Sequence, residues 1–283
     1  MNSETKAVIA LVGSALLWST GGVFIKLVDW NGFAIAGSRS LIASFVLLIY
    51  LKKPRFKFRF PLLAAALSSA CTMTLYVLAN KMTTAANTIL LQYTAPVYVA
   101  VLAWVILKEK PTADNWIALV IIVVGMLLFF TGKLSPGNMF GNVLAVLSGL
   151  GLAFFAVFMR MQKGNSPFES FLLAHLITFV VSIPFILKSG LPEASGWFGI
   201  FMLGVFQLGF ASLLFSYGIR QVSALKTMLI LTLEPILNPV WVFLFTGEVP
   251  GIYAVVGGVF IISAVLFTTI YSSRRERLTP TSQ

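Results

Sequence analysis

Charge is what this sequence has least of. Among 283 residues there are 20 Lys and Arg, nine Asp and Glu and one His, so 10% of the chain is charged. A soluble domain carries roughly 25%, and so few ionic groups cannot solvate the outside of a globule of this size. Cysteine is nearly absent as well. The single Cys71 excludes a disulfide scaffold and, with only one histidine, an internal zinc or haem site. The 22 glycines follow no three-residue period, which excludes collagen, and the apolar content of 58% excludes disorder. What fills the chain is hydrocarbon: the mean hydropathy is +0.94, and 25 Phe, seven Tyr and six Trp add to it.

A membrane-crossing helix needs about 20 apolar residues. Ten segments meet that length: 7–27, 33–51, 60–80, 85–107, 115–132, 139–161, 168–188, 197–218, 224–246 and 250–271. Runs such as 118–130 do not alternate, so a β-barrel does not fit. The expected fold is therefore all-α and polytopic. Segment 7–27 is too long for a cleaved signal core and is followed by no small-residue cleavage site, so it reads as a retained helix. Basic residues near helix ends set orientation. With a cytoplasmic N-terminus, 15 of them fall inside, including the 52–59 cluster, against four outside: Lys26, Lys81, Lys133 and Lys188. Both termini are expected to be cytoplasmic, in the cell (inner) membrane. The positive charge then reads as topology and lipid contact, with no nucleic-acid partner.

The chain also repeats. A shift of 139 residues lays Pro96, Glu109 and Pro111 on Pro235, Glu248 and Pro250, with further identities such as Ala85 on Ala224, Thr88 on Thr227 and Ile122 on Ile261, without a gap. Five spans per half is an odd number, so the halves enter the membrane from opposite sides. Their loops agree: Lys108 and Lys110 flank Glu109, whereas Gly247 and Val249 flank Glu248. An inverted repeat of this kind is carrier architecture. The expected units are 7–132 and 139–271, followed by a cytoplasmic tail over 272–283.

These residues resemble a family. Thr94-Ala95-Pro96 to Glu109-Lys110-Pro111, and Glu234-Pro235 to Glu248-Val249-Pro250, are similar to the paired EamA domains of the drug/metabolite transporter superfamily. Leu16-Leu17-Trp18-Ser19-Thr20-Gly21-Gly22 and Arg39-Ser40-Leu41-Ile42-Ala43 are similar to its first- and second-helix stretches. The resemblance implies ten helices as two inverted five-helix units, a cavity lined mainly by helices 1, 3, 4, 6, 8 and 9, and transport of small metabolites, often amino-acid export. The second half departs from the pattern. Phe154 or Phe155 stands roughly where Trp18 does, and His175 lies near the place of Arg39.

With topology charges set aside, three ionisable groups lie within spans: Arg39, His175 and Glu234. A charge at mid-membrane costs about 2.5–3.5 kcal/mol on insertion scales, so it should meet a partner or a wet cavity. Arg39 is a candidate counter-charge for a substrate carboxylate, against snorkelling to headgroups. Glu234 is a candidate for binding an amine or a coupling proton, against holding helices together beside Pro235. His175 could switch charge near neutral pH, against plain packing. Trp18, Tyr76, Tyr93, Tyr98, Phe154, Phe158, Tyr217 and Trp241 lie deep enough to wall an aromatic pocket, and Asn80, Asn87, Gln92, Gln207 and Asn238 are candidate polar anchors. Thr227, Leu231, Glu234 and Asn238 share one helix face, as do Thr88, Gln92, Ala95 and Val99.

An intramembrane enzyme lacks its residues. There is no Gly-x-Ser-x-Gly elbow, no pair of mid-span aspartates and no P-loop. A channel filter has no loop to occupy. The expectation is a secondary or facilitative transporter without cofactor or metal, monomeric or homodimeric, exporting an amino acid or related metabolite. A broad drug or organic-cation exporter, a metabolite importer, or a non-transporting receptor or assembly factor are the alternatives.

Overall fold

The structure is a computed structural model. It describes residues 3–26, 28–83, 85–129, 131, 138–162, 167–237, 241 and 252–278. All regular structure among the described residues is helical: α1 (Ser3–Ser19), α2 (Gly21–Lys26), α3 (Gly32–Leu51), α4 (Phe60–Met82), α5 (Ala85–Gln92), α6 (Ala95–Leu102), α7 (Ala113–Phe129), α8 (Met139–Met161), α9 (Pro167–Lys188), α10 (Ala194–Met202), α11 (Ala211–Gly218), α12 (Ala224–Leu231) and α13 (Ile252–Leu278), with π segments at Ala103–Leu107 and Leu203–Phe210 and a short helix at 233–237. Among the described residues six helices are long and apolar enough to cross a membrane, the π segments joining their neighbours into single spans. Of the other passes, the first and the ninth are divided into shorter pieces, while the fifth is the 17-residue α7 and the tenth is α13. The protein is a polytopic membrane protein of ten helices in two inverted five-helix repeats.

Local chemistry sets the helix ends. Asn31 and Asn138 begin α3 and α8, each side chain accepting a backbone N–H at 2.9 Å (Phe33 and Phe140). Ser223 does the same for α12 through Lys226 N. Proline at the first turn begins α4 and α6, where its missing N–H has no intrahelical partner to lose. The last helix runs to Leu278, into the stretch expected as a tail.

The packing displays the repeat. With the spans numbered one to ten, span 2 packs on 7 (α3 on α9), 5 on 10 (α7 on α13) and 4 on 9 (α6 on α12), each contact being its own mate. The contact of 3 on 6 (α4 on α8) is matched by 8 on 1 (α11 on α1). That of 3 on 7 is matched by the π segment of span 8 on span 2. Even single bonds recur. Ser148 Oγ of α8 donates to Thr72 O of α4 at 3.2 Å, and Ser14 Oγ of α1 to Ala211 O of α11 at 3.1 Å.

Glycine permits these approaches where backbones meet. A Cβ on Gly149 would lie 2.7 Å from Gln92 O, and one on Gly218 would lie 3.1 Å from Ala7 O. At the face richest in basic residues, polar ties join the halves. Glu109 Oε1 accepts from Arg160 Nε at 2.9 Å, and its Oε2 from Ala224 N at 3.2 Å. Lys226 Nζ pairs with Glu4, and Glu169 accepts from Arg55 N at 3.5 Å. Lys226 therefore lies at a buried helix start, neutralised by the first helix.

Candidate functional site

Spans 4 and 9 are broken at repeat-related places. In span 4, Tyr93 and Thr94 separate α5 from α6, and in span 9, Thr232 separates α12 from 233–237. The cause lies in the sequence. Pro96 and Pro235 lack the N–H that would have bonded to Gln92 O and Leu231 O one turn earlier. A threonine at each break bonds the turn before it, Thr94 Oγ1 donating to Leu91 O and Thr232 Oγ1 to Leu229 O, both at 2.6 Å, and leaves the carbonyls of Gln92 and Leu231 to other groups.

Beside the two breaks lies a cavity of about 80 Å³, or about 660 Å³ with its open mouth included. At about 10–15 Å³ each, the inner volume holds about half a dozen waters or a compact metabolite. Its wall is drawn from both halves. The first supplies Trp18, Arg39, Ser69, Thr72, Met73, Tyr76, Gln92 and Tyr93, the second Leu152, Phe155, Phe171, Gln207, Leu208, Met228, Leu231 and Glu234. Among the described residues, spans 5 and 10 contribute nothing to it. Spans 2 and 7, beyond the set of helices that the resemblance implied, do contribute, through Arg39 and Phe171.

An arginine and a glutamate stand on this wall, and among the described residues neither forms an ion pair. Arg39 is 2% exposed. Its Nη1 donates to Gln207 Oε1 at 3.4 Å, and its Nε has no partner. A guanidinium offers five N–H donors in a rigid fork, so Arg39 keeps donors in surplus. Gln207 reaches it from the π segment Leu203–Phe210, where the helix is wound wider. Gly204 in that segment lets span 8 close on span 2: a Cβ there would lie 3.0 Å from Arg39 O. Glu234 Oε2 lies 2.5 Å from Tyr93 Oη, and the same hydroxyl lies 3.0 Å from Leu231 O. Gln92 is held by its Nε2 donating to Ser148 Oγ at 2.9 Å.

The apolar wall is aromatic. Trp18 and Phe155 both pack on Phe215, with centroids 5.4 Å and 5.3 Å away, and Phe155 meets Phe171 edge-on at 5.0 Å. Phe155, not its neighbour Phe154, thus stands opposite Trp18 at the cavity.

The remaining sequence candidates lie elsewhere. His175 is fully buried behind the wall, stacked on Phe171, with Nε2 3.3 Å from Ser212 Oγ and no partner for Nδ1. Phe154 stacks on Phe158, which in turn meets Phe60, away from the cavity. Asn80, one turn beyond Tyr76 and hydrogen-bonded to it, and Tyr98, beyond the break at Tyr93, are half-buried outside the lining. Tyr217 is 40% exposed and faces outward. Trp241 Nε1 donates to Ser19 Oγ at 2.7 Å, tying span 9 to span 1 behind Trp18. The Asn87 side chain and Asn238 lie outside the described residues, as do Glu248 and Pro250.

Missed by sequence reasoning were Ser69, Thr72 and Met73, although they precede Tyr76 by seven, four and three residues on one face of α4. Phe171, Leu208, Leu152 and Met228 carry no signal that separates them from ordinary packing.

The EamA-like transporter family model matches this chain twice, over residues 5–131 and 139–270. The chain belongs to that family, within the drug/metabolite transporter superfamily. Its relatives include an uncharacterized transporter of Archaeoglobus fulgidus, 26% identical over 91% of this chain and 94% of its own. A second from the same organism is 28% identical over 95% and 98%. Human solute carrier family 35 member G1 is 24% identical over 89% of this chain and 75% of its own. A solved crystal structure superposes with a TM-score of 0.82 at 15% identity, covering 96% of this chain and 99% of its own, which shows a shared fold. This EamA protein is a membrane transporter of the drug/metabolite type.

Proposed function

We propose that this transporter exports a small zwitterionic metabolite, an amino acid or a close relative, by rocking of the two halves about the central cavity. One observation carries the reading: a buried arginine and a glutamate, with no ion-pair partners among the described residues, line the same cavity. Surplus guanidinium donors match a carboxylate through paired N–H···O bonds. The Glu234 carboxyl, beside Tyr93, suits an ammonium. Between them Trp18, Phe155, Phe171 and Met228 offer an apolar bed for the rest of a small amphipathic molecule. An organic cation fits less well, because Arg39 would face a like charge with no anion between.

Rocking would have to open the polar ties that join the halves at the basic face, the Glu109–Arg160, Glu4–Lys226 and Glu169–Arg55 contacts. The asymmetry of basic residues supports a cytoplasmic location for that face and for both termini, in the cell (inner) membrane. The bilayer is then the principal surrounding partner, with the protein acting as a monomer or homodimer.

The test is counterflow in proteoliposomes loaded in turn with neutral amino acids, nucleosides and organic cations. Exchange of a labelled neutral amino acid is expected. Exchange of organic cations alone would replace the zwitterion reading, and no exchange with any class would favour a receptor or assembly role.

A further inference from the structure

Hydrogen counting at the break of span 9 assigns a proton. Leu231 O has lost its helical donor, because residue 235 is proline. The Tyr93 hydroxyl lies 3.0 Å from that carbonyl and 2.5 Å from Glu234 Oε2. A tyrosine hydroxyl has one hydrogen to give, and a carbonyl oxygen can only accept. If Tyr93 donates to Leu231 O, the contact with Glu234 holds only when the carboxyl itself carries hydrogen and donates to the Tyr93 oxygen. If Glu234 is ionised, Tyr93 must turn its hydrogen to the carboxylate, and the buried Leu231 carbonyl is left unpaired. The first arrangement satisfies all three oxygens and keeps an uncompensated charge out of the membrane interior. The second satisfies two.

We propose that Glu234 is a proton-binding site, and that its proton latches the broken helix of one half to the broken helix of the other. Tyr93 stands at the break of span 4 and Leu231 and Glu234 at the break of span 9, so the chain Glu234 O–H, Tyr93 O–H, Leu231 C=O crosses between the halves at both hinges. When Glu234 gives its proton to water, the Tyr93 hydrogen swings to the carboxylate and the Leu231 carbonyl is released. Loss of the proton thereby loosens the hinge at Pro235, and rebinding restores it. The balance is one proton per cycle, exchanged with solvent through the cavity that Glu234 lines. Other titratable and charged groups on this wall are Tyr76 from α4 and Arg39 from α3, with His175 of α9 behind them. Among the described residues no cation forms an ion pair with Glu234 to hold it ionised.

This goes beyond the transport reading and can fail alone, because it needs no substrate. The experiment is infrared difference spectroscopy of the reconstituted full chain, in light and heavy water, across a pH titration. At neutral pH the wild type is expected to show the carbonyl stretch of a protonated carboxyl. The band should be absent in Glu234→Gln, and in Tyr93→Phe it should persist at a frequency shifted by loss of the hydrogen-bond partner. Tyr93→Phe and the wild-type titration keep the test valid should Glu234→Gln fail to assemble. A wild type without that band at neutral pH, or a band unmoved by Tyr93→Phe, overturns the proposal. Amino-acid counterflow with such a spectrum would leave the transport reading standing without the latch.

Discussion

The two halves break the same helix at the same proline and treat the orphaned carbonyl differently. In the first half, Pro96 frees Gln92 O, which rests against the backbone of Gly149 on α8. The Gln92 side chain is fixed there by Ser148, itself bonded to Thr72 O. Every group in that arrangement is uncharged. In the second half, Pro235 frees Leu231 O, and the group facing it is the Tyr93 hydroxyl shared with a carboxyl. Spans 3 and 8 differ in parallel: α4 is regular, while its mate carries the π segment that brings Gln207 to Arg39. Inverted symmetry thus supplies a scaffold with two broken helices, and the arginine and glutamate of the cavity lie where the symmetry is broken.

Several substitutions would break or sharpen that contrast. Arg39→Gln removes the cation at the asymmetric pole, and truncating one partner of a buried charged contact costs about 2–5 kcal/mol. Amino-acid counterflow should fall by at least about 30-fold, while Arg39→Lys, which keeps charge but loses the fork, should retain part of it. Gly149→Ala attacks the uncharged break. With Gln92 O only 2.7 Å from the new methyl, overpacking should cost about 1–3 kcal/mol, read as a lower Tm in detergent. Ser148→Ala removes a hydroxyl engaged with both Gln92 and Thr72 and should cost about 1–1.5 kcal/mol. Its mate Ser14→Ala removes one bond and should cost about 0.5–1 kcal/mol, so the two melting curves measure the asymmetry directly. Tyr217→Phe, on an exposed outward face, should stay within about 0.5 kcal/mol of the wild type and leave counterflow unchanged.

Much of this was legible in the amino acids because membranes make polar residues rare. Ten apolar runs and a Pro–Glu–Pro recurrence on a 139-residue shift are visible against a plain background. Arg39 and Glu234 stand out for the same reason, since hydrocarbon penalises a charge wherever it lacks purpose or partner. Depth along a span could be read, but direction around it could not. Phe154 and Phe155 are equally deep, and about 100° of helix rotation sends one to Phe158 and the other to the cavity. Tyr217 faced outward for the same reason, and His175 was turned toward Ser212. The π segment at Leu203–Phe210 has no marking residue in the sequence, so the meeting of Gln207 with Arg39, and with it the part played by span 2, needed coordinates.

If the cavity takes a carboxylate at Arg39 and an ammonium at Glu234, as proposed, both charges of a substrate must count. Counterflow of a labelled neutral amino acid in proteoliposomes, competed in parallel by its methyl ester and its N-acetyl derivative, tests this most directly. The zwitterion alone should compete fully, because each derivative lacks one of the two charges. Equal competition by the ester or by the N-acetyl derivative would contradict it.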